Sequence, residues 1–207
     1  MKALLINGSP NVYGVTNYGL EIIKNKLEKN DIRTKTIWIG NNPIGGCIGC
    51  NYCIKNNNTC YMDDIVNKII KEIEEYDAII LGSPVHFSNI AGNMKSMLDR
   101  LFYGRKNLFS GKVFASIVSA RRAGTTSALD ELNKYALMSN TYIVGSTYWT
   151  QIHGQNKEEA KKDLEGIETL ENLSENIIYL LKCLELGKKN KIDKPNIRLE
   201  NKTNFIR

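Results

Sequence analysis

The chain has 207 residues, enough for one domain with a substantial core. Its apolar fraction of 42 % and charged fraction of 24 % are those of a globular protein, and no apolar run approaches the roughly 20 residues that cross a bilayer. The net charge is +6, and residues 184–207 hold seven cations against three anions. No aromatic–basic interleaving of the nucleic-acid-binding kind accompanies that charge, so neither nucleic acid nor a membrane is expected as a partner.

The opening MKALLINGSP lacks a small-residue cleavage site and reads as a first strand rather than a signal peptide, which places the protein in the cytoplasm. Residues 2–7 form a short apolar run of the buried-strand kind, ending at Gly8. Residues 14–30 carry Leu20, Ile23 and Leu27 at helical spacing, and 32–39 is β-branched and partly alternating, as an edge strand would be. A cysteine-rich loop follows. Asp63 and Asp64 then precede a helical pattern over 65–76, where acidic residues suit a helix start.

Strand signals recur at 77–82, 112–120 and 141–149. Helical patterns occupy 90–102, 125–139 and about 156–184. Five strands alternating with five helices predict an α/β fold: a doubly wound, five-stranded parallel sheet of order 2-1-3-4-5 in a three-layer α/β/α arrangement. The domain is expected over 1–186, with a Cys-rich insertion at 45–62 and a basic tail at 187–207. In that order the loops after strands 1 and 3 part and leave a crevice at the carboxyl ends of the strands.

Both loops are distinctive. Residues 7–17, NGSPNVYGVTN, hold Gly8, Ser9, Asn11, Gly14, Thr16 and Asn17 and lead straight into a helix. Hydroxyls, amides and free backbone N–H groups at a helix start form an anion site. The loop is neither a G-x-G-x-x-G fingerprint nor a P-loop. It contains no Lys or Arg, which suits a single phosphomonoester held by hydrogen bonds and the helix dipole. The same residues also fit an ordinary capped turn. Residues 82–92, GSPVHFSNIAG, offer Pro84, Val85, His86 and Phe87 as an apolar and aromatic wall with Asn89 as a polar amide. The loop at 119–126 flanks the same crevice and carries Arg121 and Arg122.

LLINGSPNVYGVTN followed by AIILGSPVHFSNIAGNMKSMLDR resembles the flavodoxin-like NADPH-dependent FMN reductase family, and the paired Gly-Ser-Pro loops are the specific part. YWTQIHGQNKEE (148–159) and the closing TNFIR are similar to the same group. The resemblance implies a flavodoxin-like fold and non-covalently bound FMN. It assigns the phosphate to Ser9, Asn11, Val15, Thr16 and Asn17, and the isoalloxazine to Pro84, Val85, His86, Phe87 and Asn89, with Ala120 to Gly124 on the other side. Asn11, Val15 and His86 stand where the family more often has a basic residue, Asn and Tyr.

Four of the five cysteines, Cys47, Cys50, Cys53 and Cys60, form C-x2-C-x2-C-x6-C. In a reducing cytosol, close-set thiols are metal ligands or redox groups more often than disulfides. Two-residue gaps let successive thiolates converge, and the longer gap lets the chain return. Zinc and free redox thiols remain alternatives, although structural zinc usually pairs two C-x-x-C knuckles. The spacing resembles that of the iron–sulfur flavoproteins, and this implies a [4Fe–4S] cluster on the four cysteines. Cys183 reads as a core residue of the last helix.

The resemblance leads to an oxidoreductase in which NAD(P)H reduces FMN and electrons pass to a small acceptor such as a flavin, a quinone, or an azo or nitro compound. A second reading is an electron carrier served by a ferredoxin-like donor, which the basic charge would suit. A third, a zinc-stabilised basic binding protein, is disfavoured by the two Gly-Ser-Pro loops. Flavin chemistry needs no protein acid or base, so no catalytic residue is named. The tail and its terminal NFIR suggest an arm packing on another subunit of a homodimer or homotetramer.

Overall fold

Strand β1 (Lys2–Asn7) lies between two parallel neighbours. A computed structural model describes residues 1–198, 200, 201 and 203 of the chain; the terminal residues 204–207, read above as an arm, lie outside the described residues. After β1 come α1 (Val15–Glu28), β2 (Arg33–Trp38), the short α2 (Tyr52–Lys55) and α3 (Ile65–Glu72). Then follow β3 (Ala78–His86), β4 (Asn89–Ile90), α4 (Gly92–Phe102), β5 (Val113–Ala120) and α5 (Thr125–Leu137). The chain ends with β6 (Tyr142–Ile143), β7 (Gln151–His153), α6 (Lys157–Ala160) and α7 (Leu164–Lys189).

The sheet order is β2-β1-β3-β5-β6, with β7 also on β5 and β4 on β3. Every pairing is parallel except β3–β4. This is the expected doubly wound α/β architecture, with two differences. A two-residue β4 turns back on the end of β3, where the expected helix would begin. The fifth strand, expected over 141–149, is two pieces. Residues between them are held off the sheet by hydrogen bonds with α7: Ser146 donates to the Thr169 carbonyl (2.6 Å), and Asn176 donates to the Gly145 carbonyl (2.9 Å). Thr150 Oγ1 meanwhile donates to the Ser116 carbonyl, using an edge acceptor of β5.

The long helix expected over 156–184 is likewise interrupted. Asp163 accepts from the Gly166 N–H at 3.0 Å and so caps α7, while the same carboxylate accepts from the His153 N–H at 2.6 Å. Helix α7 runs to Lys189, three residues into the expected tail. Cys183, expected in the core, is exposed on this helix; its neighbours Ile177, Ile178 and Leu181 take the buried stripe.

Strand alternation splits the core into two layers. Leu4, Ile6, Ile79, Leu81, Phe114 and Val118 face α3, α4 and α5. Ala3, Leu5, Ile80, Ala115 and Ile117 face α1 and α7. Because both faces are covered, the central strands are apolar throughout rather than alternating. Each large apolar side chain so buried contributes about 1.5–3 kcal/mol. Gly82 permits a close approach of α1: a Cβ there would come within 2.9 Å of Leu20 Cδ1 and 3.0 Å of Thr16 Cγ2.

Ile80 is fully buried in the central strand. Ile80→Ala should lower the unfolding free energy by about 2–5 kcal/mol, measured by urea denaturation; a loss below about 1 kcal/mol would contradict the two-layer packing.

Candidate functional site

Parallel pairing of β1 with β3 sets Asn7 beside Gly82, and the Gly8 N–H donates to the Gly82 carbonyl at 2.8 Å. The loops after the two strands therefore start side by side at the carboxyl edge. The first loop is pinned by its own side chains. Asn7 Oδ1 accepts from the Ser9 N–H (3.0 Å), Ser9 Oγ from the Asn11 N–H (3.1 Å), and Asn11 Oδ1 from the Tyr13 N–H (3.1 Å). Trp38, at the end of β2, donates its indole N–H to the Ser9 carbonyl at 2.7 Å.

Helix α1 then begins after Gly14, which is extended and supplies no side-chain cap. The N–H groups of Val15, Thr16 and Asn17 lie in the first turn, where no intrahelical acceptor exists. With the Ser9 hydroxyl and the Asn11 amide, they form a neutral, donor-rich cradle that fits a phosphomonoester. Thr16 turns its hydroxyl away from this opening. Its side chain is 1 % exposed, and Oγ1 shares a hydrogen bond with Ser119 Oγ at 2.7 Å, tying α1 to β5. Asn17 donates to Glu21 Oε1 at 2.8 Å and accepts from Asn7 Nδ2 at 3.4 Å.

The second loop is a tight hairpin. Phe87 and Ser88 form its two-residue turn, both with positive φ (49° and 59°). Val85 packs on the core, whereas His86 and Phe87 are exposed, Phe87 fully so. The apolar wall beside the crevice is thus Pro84 and Val85, with Phe87 projecting from the rim. Asn89 Oδ1 accepts from the Ile90 N–H at 2.8 Å. Gly124, with φ of 87°, brings the β5–α5 loop against this hairpin: a Cβ there would come within 2.8 Å of Ser88 Cα. Ala120 ends β5 and accepts from the Gly154 N–H at 3.0 Å. The sequence-predicted residues of all three loops thus meet at one edge.

The cysteine loop packs along α4. The loop after β2 leaves at the crevice edge but then descends along α4. The Ile44 N–H bonds Asn93 Oδ1 at 3.2 Å, a Cβ on Gly46 would reach Ser96, and one on Gly104 would lie 3.5 Å from Cys53 Sγ. All four thiols line one depression with Ile48, Tyr103, Arg100 and Arg105, enclosing about 320 Å³ of non-atom space, open solvent included. This depression is lined by Arg100 in the last turn of α4 and by Tyr103 and Arg105 just beyond it. Left-handed residues Gly49, Asn51, Asn57 and Asn58 fold the loop back on itself. Asn67 brackets Cys60 by accepting from its N–H (2.8 Å) and donating to its carbonyl (2.9 Å).

Among the described residues no three His, Cys, Asp or Glu side chains gather tightly enough to hold one metal ion. Arg100 closes the loop: it forks onto Asp64 (2.5 and 2.9 Å) and donates to the carbonyls of Met62 (3.0 Å) and Gly45 (3.3 Å). Burial opposes its charge, but hydrogen bonds to Asp64 and Cys60 hold its pKa above the usual value. For Arg105 burial prevails and lowers the pKa, against the pull of Cys53, Cys60 and Cys47. Arg105 Nη2 is buried and has no hydrogen-bond partner. An orphaned cationic donor beside four thiols fits a thiolate-held anionic centre larger than one ion.

Sequence reasoning missed Asn7, Trp38, Asn67, Ser119, Arg100 and Arg105. Only Arg100 left a signal, as a cation inside the apolar stripe of Met97, Leu98 and Leu101.

The profile of the family described as NADPH-dependent FMN reductase matches residues 1–155. An iron–sulfur flavoprotein of Methanocaldococcus jannaschii is 28 % identical over 89 % of this chain and 100 % of its own length. One from Archaeoglobus fulgidus is 34 % identical over 66 % of this chain and 69 % of its own. Among solved structures, RosB with a bound 8-demethyl-8-formylriboflavin-5'-phosphate superposes with a TM-score of 0.68 at 14 % identity, covering 100 % of this chain and 94 % of that one. A flavodoxin from Archaea gives 0.53 at 15 % identity over 84 % of this chain and 99 % of that one, a likeness of fold. No helix among the described residues is long and apolar enough to cross a membrane. The chain belongs to the NADPH-dependent FMN reductase family of flavin oxidoreductases and is similar within it to the iron–sulfur flavoproteins.

Proposed function

We propose that this chain is an FMN oxidoreductase that also carries a [4Fe–4S] cluster on Cys47, Cys50, Cys53 and Cys60, and that it relays electrons from a ferredoxin-like protein to a small acceptor. The observation that carries this reading is the convergence on one depression of four cysteines and a buried guanidinium with one unpartnered N–H group. The names of its curated relatives support it. When bound, FMN supplies hydride and single-electron chemistry, and a cluster supplies single electrons.

The protein's own contribution is placement. The main chain of Val15 to Asn17, the Ser9 hydroxyl and the Asn11 amide hold the phosphate. Pro84, Val85 and Asn89 on one side, and Ala120 to Gly124 on the other, confine the ring. His86 and Phe87 border the opening where an acceptor would enter. The basic charge favours docking of an acidic donor. A second reading, direct reduction by NAD(P)H, is favoured by the family description.

Anaerobic purification should give yellow-brown protein with about four iron and four sulfide per flavin and no zinc; Cys50→Ser should lose the iron and keep the flavin. Zinc without sulfide would overturn the cluster. Asn11→Asp preserves the oxygen that accepts from Tyr13 but adds a negative charge to the cradle, so the FMN dissociation constant should rise at least tenfold, about 1.4 kcal/mol. An unchanged constant in fluorescence titration would remove Asn11 from the phosphate site. Under argon, a reduced ferredoxin should bleach the flavin faster than NADPH does; the reverse order in stopped-flow absorbance would favour the second reading.

A further inference from the structure

Two arginines border the thiol depression, each 1 % exposed, but only one has a carboxylate. Arg100 is matched by the forked pair with Asp64. Arg105 donates through Nε to the Asn58 carbonyl and through Nη1 to the carbonyls of Arg100 and Tyr103, all neutral acceptors. Its Nη2 donates to nothing. A guanidinium withdrawn from water without an anion costs several kcal/mol, and an orphaned donor adds to that cost. The carbonyls at the end of α4 explain why one edge of Arg105 is held there. They do not explain a buried positive charge and a free N–H on a residue that lines the thiol depression.

We infer that Arg105 is a positioning residue that supplies the countercharge of the thiolate-held cluster, offering Nη2 to a sulfur and raising the reduction potential, while Arg100, which also reaches Cys60 and has an unpartnered Nε, already has its charge matched by Asp64. The inference rests on the cluster reading above. Reduction adds one negative charge to such a centre. A fixed, buried cation at close range stabilises the reduced form more than the oxidised one. Net charge and hydrogen bonds to the sulfurs are the known levers on such potentials. The placement also separates two tasks. Removing Arg100 would free both ends of the loop, whereas removing the charge of Arg105 leaves the Arg100–Asp64 fork in place.

The test compares Arg105→Lys, which keeps the charge, with Arg105→Gln, which keeps an amide donor and loses it. Iron and sulfide are assayed first in the anaerobically purified wild-type protein, and the cluster potential of each form is then measured by redox titration followed by electron paramagnetic resonance. Arg105→Lys should stay close to wild type. Arg105→Gln should shift to lower potential by at least a tenfold change in the reduced-to-oxidised ratio, about 59 mV for one electron. Flavin content should be the same in all three. A loaded Arg105→Gln protein with unchanged potential would overturn the inference and leave the cluster reading intact. Wild-type protein without iron and sulfide would overturn both. Should Arg105→Gln fail to load while Arg105→Lys loads at the wild-type potential, the requirement for charge is supported. Failure of both to load, with equal losses in Tm, would assign Arg105 to loop structure alone and sink the inference.

Discussion

The register of β1 against β3 is the constraint on which the site depends. Asn7 is paired with Gly82, and the next residue, Gly8, bonds the Gly82 carbonyl. A slip of one residue would turn Leu4 and Ile6 to the wrong layer and separate the two loops. The buried pair Thr16–Ser119 then binds the start of α1 to the end of β5. Together these contacts place an uncapped helix start, a hairpin and the β5–α5 loop around one opening. The carboxyl edge of a doubly wound sheet is where such openings arise; here hydrogen-bonded loops make it rigid.

Electrostatics distinguish the two ends of the molecule. The candidate cradle has no basic side chain and offers main-chain N–H groups, the Ser9 hydroxyl and the Asn11 amide. The thiol depression has two buried guanidiniums, although Cys47 and Cys50 are exposed and only Cys53 is buried. Uncharged dipoles at a helix start suit a group that brings its own negative charge, whereas cations beside thiols favour their thiolate form.

The fold was largely legible because its signals are local. Continuous apolar runs marked β1, β3 and β5, and the Gly-Ser-Pro loops marked their ends. The fifth strand was misread because its interruption involves partners on α7, the Thr169 carbonyl and the Asn176 amide, which lie 23 and 31 residues away. The helix break at Asp163 had a visible capping residue, but the apolar pattern continued past it. The cysteine spacing showed that thiols gather, yet not where. Their seat depends on Arg100 bridging residues 45 and 62–64 from a helix some 36–55 positions later. Thr16 was assigned by residue type, and only packing showed that its hydroxyl is spent on Ser119.

Helix α4 links the two ends. Its first turn follows Ala91, whose N–H is held by Ser83 Oγ at 3.0 Å behind the crevice. Its last turn carries Arg100, and its terminal carbonyls hold Arg105. Between them Met94, Met97, Leu98 and Leu101 are fully buried against the sheet. The separation of crevice and thiols is therefore fixed by about three turns of packed helix rather than by a flexible loop. The cysteine loop itself has few apolar anchors and several left-handed turns. Its geometry is imposed by arginine contacts with α4, so any change in the pitch or end of that helix would reach the thiols before it disturbed the phosphate cradle.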